Sequence, residues 1–154
     1  MPQSHGRIIL HVVFSTFRRV PMIPERLRAP LHGYLATVIG DCGCVPIVVG
    51  GVADHVHLLF GLGRDRAPSD VVNKVKTAST KWVKARNGAT ADDRDFRWLE
   101  GYGVFSLGQS QLDDAVAYVR AQEQHDRRAT FQEEYARFLE SYRVEHDPAR
   151  LWDE

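Results

Sequence analysis

The chain has 154 residues, 44% apolar and 26% charged, which suits one compact domain with a real core and leaves little room for disorder. No apolar run reaches the length of a membrane span, since Val45 to Ala53 is broken by Gly50 and Gly51, and the opening MPQSHGR lacks the apolar stretch of a signal peptide; the expected location is the cytoplasm. Formal net charge is zero, yet residues 1–86 hold 12 Lys and Arg against 5 Asp and Glu, and residues 87–154 hold 8 against 15. A basic first half can bind phosphates although the whole is neutral, and mutual attraction of the halves accounts for the split equally well. Cys42 and Cys44 are too few for a disulfide framework and lack partners at zinc spacing, so they read as small residues in a turn.

Ile8 to Thr16 is rich in β-branched residues and reads as a strand. Arg18 to Pro24 reads as a loop. Glu25 to Ile39 carries Leu27, Leu31, Leu35, Val38 and Ile39 at helical spacing, with Pro30 expected to kink it or start its main part. Val45 to Val52 and His55 to Leu62 read as a hairpin turned by Gly50 to Asp54. Pro68, Ser69 and Asp70 announce a helix running to about Lys84. Arg86 to Asp95 is expected to be a mobile loop, and Tyr102 to Leu107 a fourth strand. Ser110 is the expected N-cap of a helix running to about Asp126, with Asp113 at capping-box distance. A further helix is expected over Thr130 to Tyr142, then a loosely held tail. The order β-α-β-β-α-β-α-α predicts an α+β fold, a ferredoxin-like antiparallel sheet with helices packed on one face, in a single domain over 1–154. The helix near 110–126 and the C-terminal helical tail over 130–154 belong to that domain.

Three features carry chemistry. His55 and His57 stand two apart in a strand, so both point to one face while Val56 and Leu58 point to the other. Two imidazoles on a rigid strand make half a site for a divalent metal; a half-exposed pair without function is the plainer alternative. Tyr118 and Gln122 stand one helical turn apart, on the flank of an apolar stripe of Leu112, Ala115, Val116 and Val119, with His125 beside them. A tyrosine there can offer its hydroxyl to a cleft or simply edge the core. A metal on a phosphate would let a phenol attack it, and two histidines with the Gln122 amide oxygen would supply three ligands. Lys74, Lys76, Lys81 and Lys84 punctuate the second helical stretch with Ser79, Thr80 and Trp82, a pattern that suits phosphate contacts or an ordinary solvated face with Trp82 in the core.

These motifs, in this order, resemble the single-tyrosine HUH transposases of small bacterial insertion sequences (the IS-two-hundred-like group). The likeness spans nearly the whole chain: HVVFST matches the first strand, GGVADHVHLLFGL the metal motif, KVKTASTKWV a Lys- and Ser-bearing helix, and FRWLEGYGVFSLGQS the approach to the catalytic helix. The resemblance implies Tyr118 as nucleophile, His55, His57 and Gln122 as ligands of Mg²⁺ or Mn²⁺, and a homodimer. It implies cutting and rejoining of single-stranded DNA at hairpin-bearing element ends through a 5′-phosphotyrosine intermediate. No nucleotide cofactor is expected, because transesterification conserves the bond energy and the chain has no phosphate-binding Gly-rich loop. Two alternatives stay open: a domesticated or inactive protein that binds hairpin DNA, and a metal-dependent phosphodiesterase with no covalent step.

Overall fold

The computed structural model describes residues 3–86 and 88–152. The chain runs β1 (Ile9–Ser15), α1 (Glu25–Asp41), β2 (Val45–Gly51), β3 (His55–Gly61), α2 (Pro68–Ala85), α3 (Ala91–Arg94), β4 (Gly103–Leu107), α4 (Leu112–Arg120), α5 (Gln122–Arg128) and α6 (Phe131–Ser141). The strands form one antiparallel sheet in the order β2-β3-β1-β4. This is the ferredoxin-like arrangement expected from the order of elements.

Strand alternation divides the sheet into two faces. Leu10, Val12 and Phe14 of β1 and Val56, Leu58 and Phe60 of β3 are buried against α1 and α2. That layer is the helical face anticipated from sequence. Pro30 sits inside α1 without ending it; its ring is exposed, so only one backbone hydrogen bond is forgone. Trp82 is half-buried, stacked on Tyr34 with ring centroids 4.9 Å apart.

The opposite face also carries helices. Val13 of β1 and Phe105 of β4 pack beneath Phe131 and Leu139 of α6, with Tyr135 and Phe138 alongside. Within the segment expected to be a loose tail, Leu151 and Trp152 rest on this cluster, and Trp152 meets Phe131 and Tyr135 edge-on or tilted.

Three boundaries differ from expectation. The segment 86–95 contains α3, whose Thr90 hydroxyl accepts from Asp93 N while the Asp93 carboxylate accepts from Thr90 N, a reciprocal cap that Arg26 anchors to α1 at 2.9 Å. Ser110 is not the cap of α4. Gln111 Oε1 accepts from Gly108 N at 2.8 Å, closing a short 3-10 turn over 109–111 from which α4 departs. The helix expected over 110–126 is interrupted at Ala121, whose ψ of 18° opens the turn between α4 and α5.

Close approach of α4 to β2 is permitted by Gly50. A Cβ at that position would stand 2.6 Å from the Val119 carbonyl oxygen and 2.9 Å from Val119 Cγ1. The missing side chain therefore sets how deeply α4, and with it Tyr118, lies against the sheet.

Candidate active site

His55 and His57 leave β3 on the face opposite Val56 and Leu58, and both are fully buried. Their ring centroids are 5.2 Å apart. Each ring is fixed from behind: His55 Nδ1 lies 2.7 Å from Asp54 Oδ1, and His57 Nδ1 lies 2.7 Å from His11 Nε2. Both Nε2 atoms consequently point into one pocket. Metal-binding histidines are commonly held in this manner, with the second nitrogen engaged by an outer partner.

Three further elements close on the same point. From α5, Gln122 brings Oε1 to 3.0 Å from His55 Nε2. From α4, Tyr118 places its ring centroid 5.9 Å from that of His57 and stacks on His125 at 4.3 Å. From α6, Glu134 brings Oε1 to 3.0 Å from His57 Nε2 and Oε2 to 3.6 Å from His55 Nε2. The contact with His57 lacks hydrogen-bond alignment, so its Nε2 is buried without a hydrogen-bond partner. Tyr118 donates its hydroxyl proton to Glu134 Oε1 at 2.5 Å, and Gln122 Nε2 donates to the same oxygen at 3.4 Å. The break at Ala121 thus leaves Tyr118 and Gln122 on one side, although they no longer share a continuous helix.

The charges follow from burial and pairing. Burial alone would lower His55, but the Asp54 hydrogen bond and charge, helped by Glu134 and Gln122, hold it above the usual histidine range. Burial lowers His57, and the adjacent His55 adds to the effect against the pull of Glu134. Burial, then the charge of His57, pushes His11 down to about 3, so it is neutral. Glu134 is pulled down to about 2: burial opposes ionisation, but His57, Tyr118 and His55 outweigh it. Burial raises the Tyr118 phenol, and the Glu134 hydrogen bond and charge raise it further. The pocket therefore holds an anionic carboxylate and a neutral phenol beside a His55 held above the usual histidine range.

The side-chain chemistry fits a divalent cation. The ligand atoms of His55, His57 and Glu134 all lie within 4.8 Å of one another, and Gln122 Oε1 adjoins them. Imidazole nitrogen with amide and carboxylate oxygen suits Mn²⁺ or a later metal better than Mg²⁺, which favours an all-oxygen shell.

The four lysines do not form one surface. Lys76, Lys81 and Lys84 line a cleft of about 680 Å³ between α2 and residues 96–102, with Thr77, Thr80 and Arg97. Lys74 lies away from it, near enough to Cys42 to act on its thiol. Lys76 is committed to structure: its Nζ donates to the carbonyl oxygens of Leu99 at 2.8 Å and Gly101 at 2.6 Å, above the Phe14 ring.

Sequence reasoning missed Glu134, His11 and Asp54. The first was detectable, because Phe131, Glu134 and Phe138 fall on one stripe of α6 and a carboxylate on an apolar stripe requires a partner. His11 occupies an alternate position of β1, on the face away from Leu10 and Val12.

Residues 4–122 match the model of the family described as transposase, IS200-like. The chain belongs to this family. It is thus a transposase of the class that cuts and rejoins DNA. Among solved structures, one is a protein assigned as a transposase from Deinococcus radiodurans R1, at 19% identity and a TM-score of 0.59, covering 79% of this chain and 98% of that one. Another is a REP-associated tyrosine transposase bound to a REP hairpin, at 13% identity and a TM-score of 0.55, covering 79% of this chain and 70% of that one. At such identities the likeness establishes the shared fold. No curated protein sequence matches. No helix among the described residues is long and apolar enough to cross a membrane. The family match ends at Gln122, so α6 and Glu134 lie beyond it.

Proposed function

We propose that this transposase cuts and reseals single-stranded DNA beside a hairpin, with Tyr118 as nucleophile. The observation that carries the reading is the meeting of the Tyr118 hydroxyl, two Nε2 atoms and the Gln122 amide oxygen in one pocket of one chain. His55, His57 and Gln122 would hold a divalent metal, Mg²⁺ or Mn²⁺, which when bound would draw charge from the scissile phosphate. Asp54 and His11 keep the two imidazoles aimed at it. The Tyr118 oxygen forms a bond to phosphorus as the bond to the 3′ oxygen breaks. The proton released by the Tyr118 phenol is matched by the one that this oxygen takes up through solvent as it leaves as a 3′-OH, and the tyrosine keeps the 5′ phosphate. An incoming 3′-OH reverses the step and restores the phenol. No nucleotide cofactor enters, since each bond broken is replaced by an equivalent one.

Glu134 occupies the place where phosphate oxygens would sit. It is an anionic oxygen pair facing both histidines and the nucleophile, at 4% exposure. DNA entry then requires α6 to move off the pocket. Lys81 and Lys84, with Arg97, would contact the DNA backbone from the cleft, Lys74 from its separate position, and Lys76 chiefly through the segment it braces. A homodimer, implied by family resemblance, would carry two such sites, each complete in its own chain. Sedimentation equilibrium showing only monomer at micromolar concentration would remove that element.

The deciding experiment incubates a single-stranded hairpin substrate with Mn²⁺ and resolves covalent adducts on denaturing gels. Wild type is expected to form the adduct. Tyr118→Phe is expected to lose it entirely while binding the hairpin nearly as well. Undiminished adduct in Tyr118→Phe refutes the nucleophile, and hairpin binding by wild type without any adduct supports a DNA-binding protein that has lost cleavage.

A further inference from the structure

A neutral imidazole has one N–H and one lone pair, and the partner of one nitrogen decides the state of the other. His57 can bind a cation through Nε2 only if Nδ1 carries the proton and finds an acceptor. Its only neighbour at hydrogen-bond distance on that side, among the described residues, is His11 Nε2, at 2.7 Å. His11 comes from β1, two residues before Val13, which is the direct cross-strand partner of His57. It is 3% exposed, and its ring is wedged between His57 and Phe138 at centroid distances of 5.0 and 5.2 Å. The alternative tautomer would put a proton on His57 Nε2, 3.0 Å from a carboxylate oxygen. Such a proton would occupy the nitrogen a cation needs, so the Nδ1–H tautomer is the one compatible with ligation.

We infer that His11 is a positioning residue of the metal centre: its Nε2 accepts the Nδ1 proton of His57 and so fixes the tautomer and ring rotation that free His57 Nε2 for a cation. It rests on the metal reading proposed above. Asp54 performs the same task for His55 with a charged acceptor. The two ligands are thus oriented by different chemistry. A carboxylate raises the basicity of one, and a neutral imidazole orients the other without adding a second negative charge to a pocket that already holds Glu134.

The test is Mn²⁺ titration of the full chain followed by electron paramagnetic resonance, in wild type, His11→Gln, His11→Leu and His55→Ala. A glutamine carbonyl can still accept from Nδ1, whereas leucine fills similar space without an acceptor. His11→Leu is expected to weaken Mn²⁺ binding by about 10–100-fold, the usual cost of losing an outer partner, and His11→Gln to retain most of it. Melting temperature and hairpin affinity should be similar in both. Equal losses in the two variants, or none in His11→Leu, overturn the assignment. If His11→Leu fails to fold, nitrogen-15 spectra of the metal-free wild type decide: Nδ1–H on His57 supports the inference and Nε2–H refutes it. His55→Ala separates the two levels. If it binds Mn²⁺ as wild type does, the metal reading falls and this inference with it; if it loses binding while His11→Leu keeps it, only the role of His11 falls.

Discussion

The hydroxyl of Tyr118 donates to Oε1 of Glu134 at 2.5 Å, a bond between the proposed nucleophile and a helix beyond the residues that match the family. It ties the nucleophile to its own cover. A phenolate next to this carboxylate would suffer like-charge repulsion and lose the hydrogen bond, so Glu134 keeps Tyr118 protonated in the closed pocket.

Glu134→Gln should therefore lower the Tyr118 pKa. Burial, the larger cause of its elevation, persists in the variant, so the phenol should remain above the ordinary tyrosine value yet below wild type. Ultraviolet titration of phenolate absorbance, with Tyr118→Phe as the subtraction, reads it directly. An unchanged or higher value would mean that Glu134 does not restrain the phenol.

Gly50 offers a test of how α4 is seated. A valine there would drive methyl groups into the Val119 carbonyl and side chain, already only 2.6 and 2.9 Å from an ideal Cβ. Overpacking of this kind costs about 1–3 kcal/mol, read as a lowered midpoint in urea. Because α4 carries Tyr118, adduct formation should fall by tenfold or more, beyond any loss of folded protein. Full activity in Gly50→Val would show that the depth of α4 does not matter.

Much of this was legible in sequence because the relevant periodicities are short. The two-residue repeat of HVHLLF placed His55 and His57 on one face, and the leucine spacing of α1 placed a helix on the other. Tyr118 and Gln122 were close enough in sequence for helical geometry to relate them even across the break at Ala121. The break itself was invisible, since Ala121 is an excellent helix former and only the turn toward Gln122 opens it. Glu134 and His11 were obscured for a different reason. Their partners lie at sequence separations of 16 residues for Tyr118 and 46 for His57, and nothing local dictates such pairings. Ser110 misled because a hydroxyl is the common cap, while here Ser110 lies inside a 3-10 turn over 109–111 that Gln111 closes by accepting from Gly108 N.

Acid should destabilise the fold through its neutral histidines, and the half-buried His32 is the one to probe because it lies outside the ligand set. Burial, then the charge of Arg28, lowers it to about 4. Its folded pKa is depressed, so the unfolded chain binds more protons between about pH 6.5 and 4. Stability is complete above about pH 6.5 and is lost as pH falls toward 4, at up to about 1.4 kcal/mol per pH unit from this group. His32→Gln should flatten that limb in urea melts taken across the range. A slope identical to wild type would show that His32 is already protonated in the fold.

α6 covers the pocket. The proposed metal ligands and the carboxylate over them are buried, His55 and His57 at 0% exposure, Gln122 at 2% and Glu134 at 4%, while Tyr118 is part-exposed. A phosphodiester that is to meet both Tyr118 and the histidines must displace Glu134, so the cover has to lift. What holds it is aromatic packing of Phe131 on His55, centroids 4.4 Å apart, and of Phe138 on Phe105 at 5.4 Å. Phe138→Ala should weaken that hold. Hydrogen exchange is expected to quicken at the amides of 131–141 when hairpin DNA carrying the cleavage site and Mn²⁺ are added to wild type. The same amides should already exchange faster in DNA-free Phe138→Ala. Exchange across α6 that stays as slow with DNA as without it would mean that the strand enters by another route and that Glu134 remains in the working site.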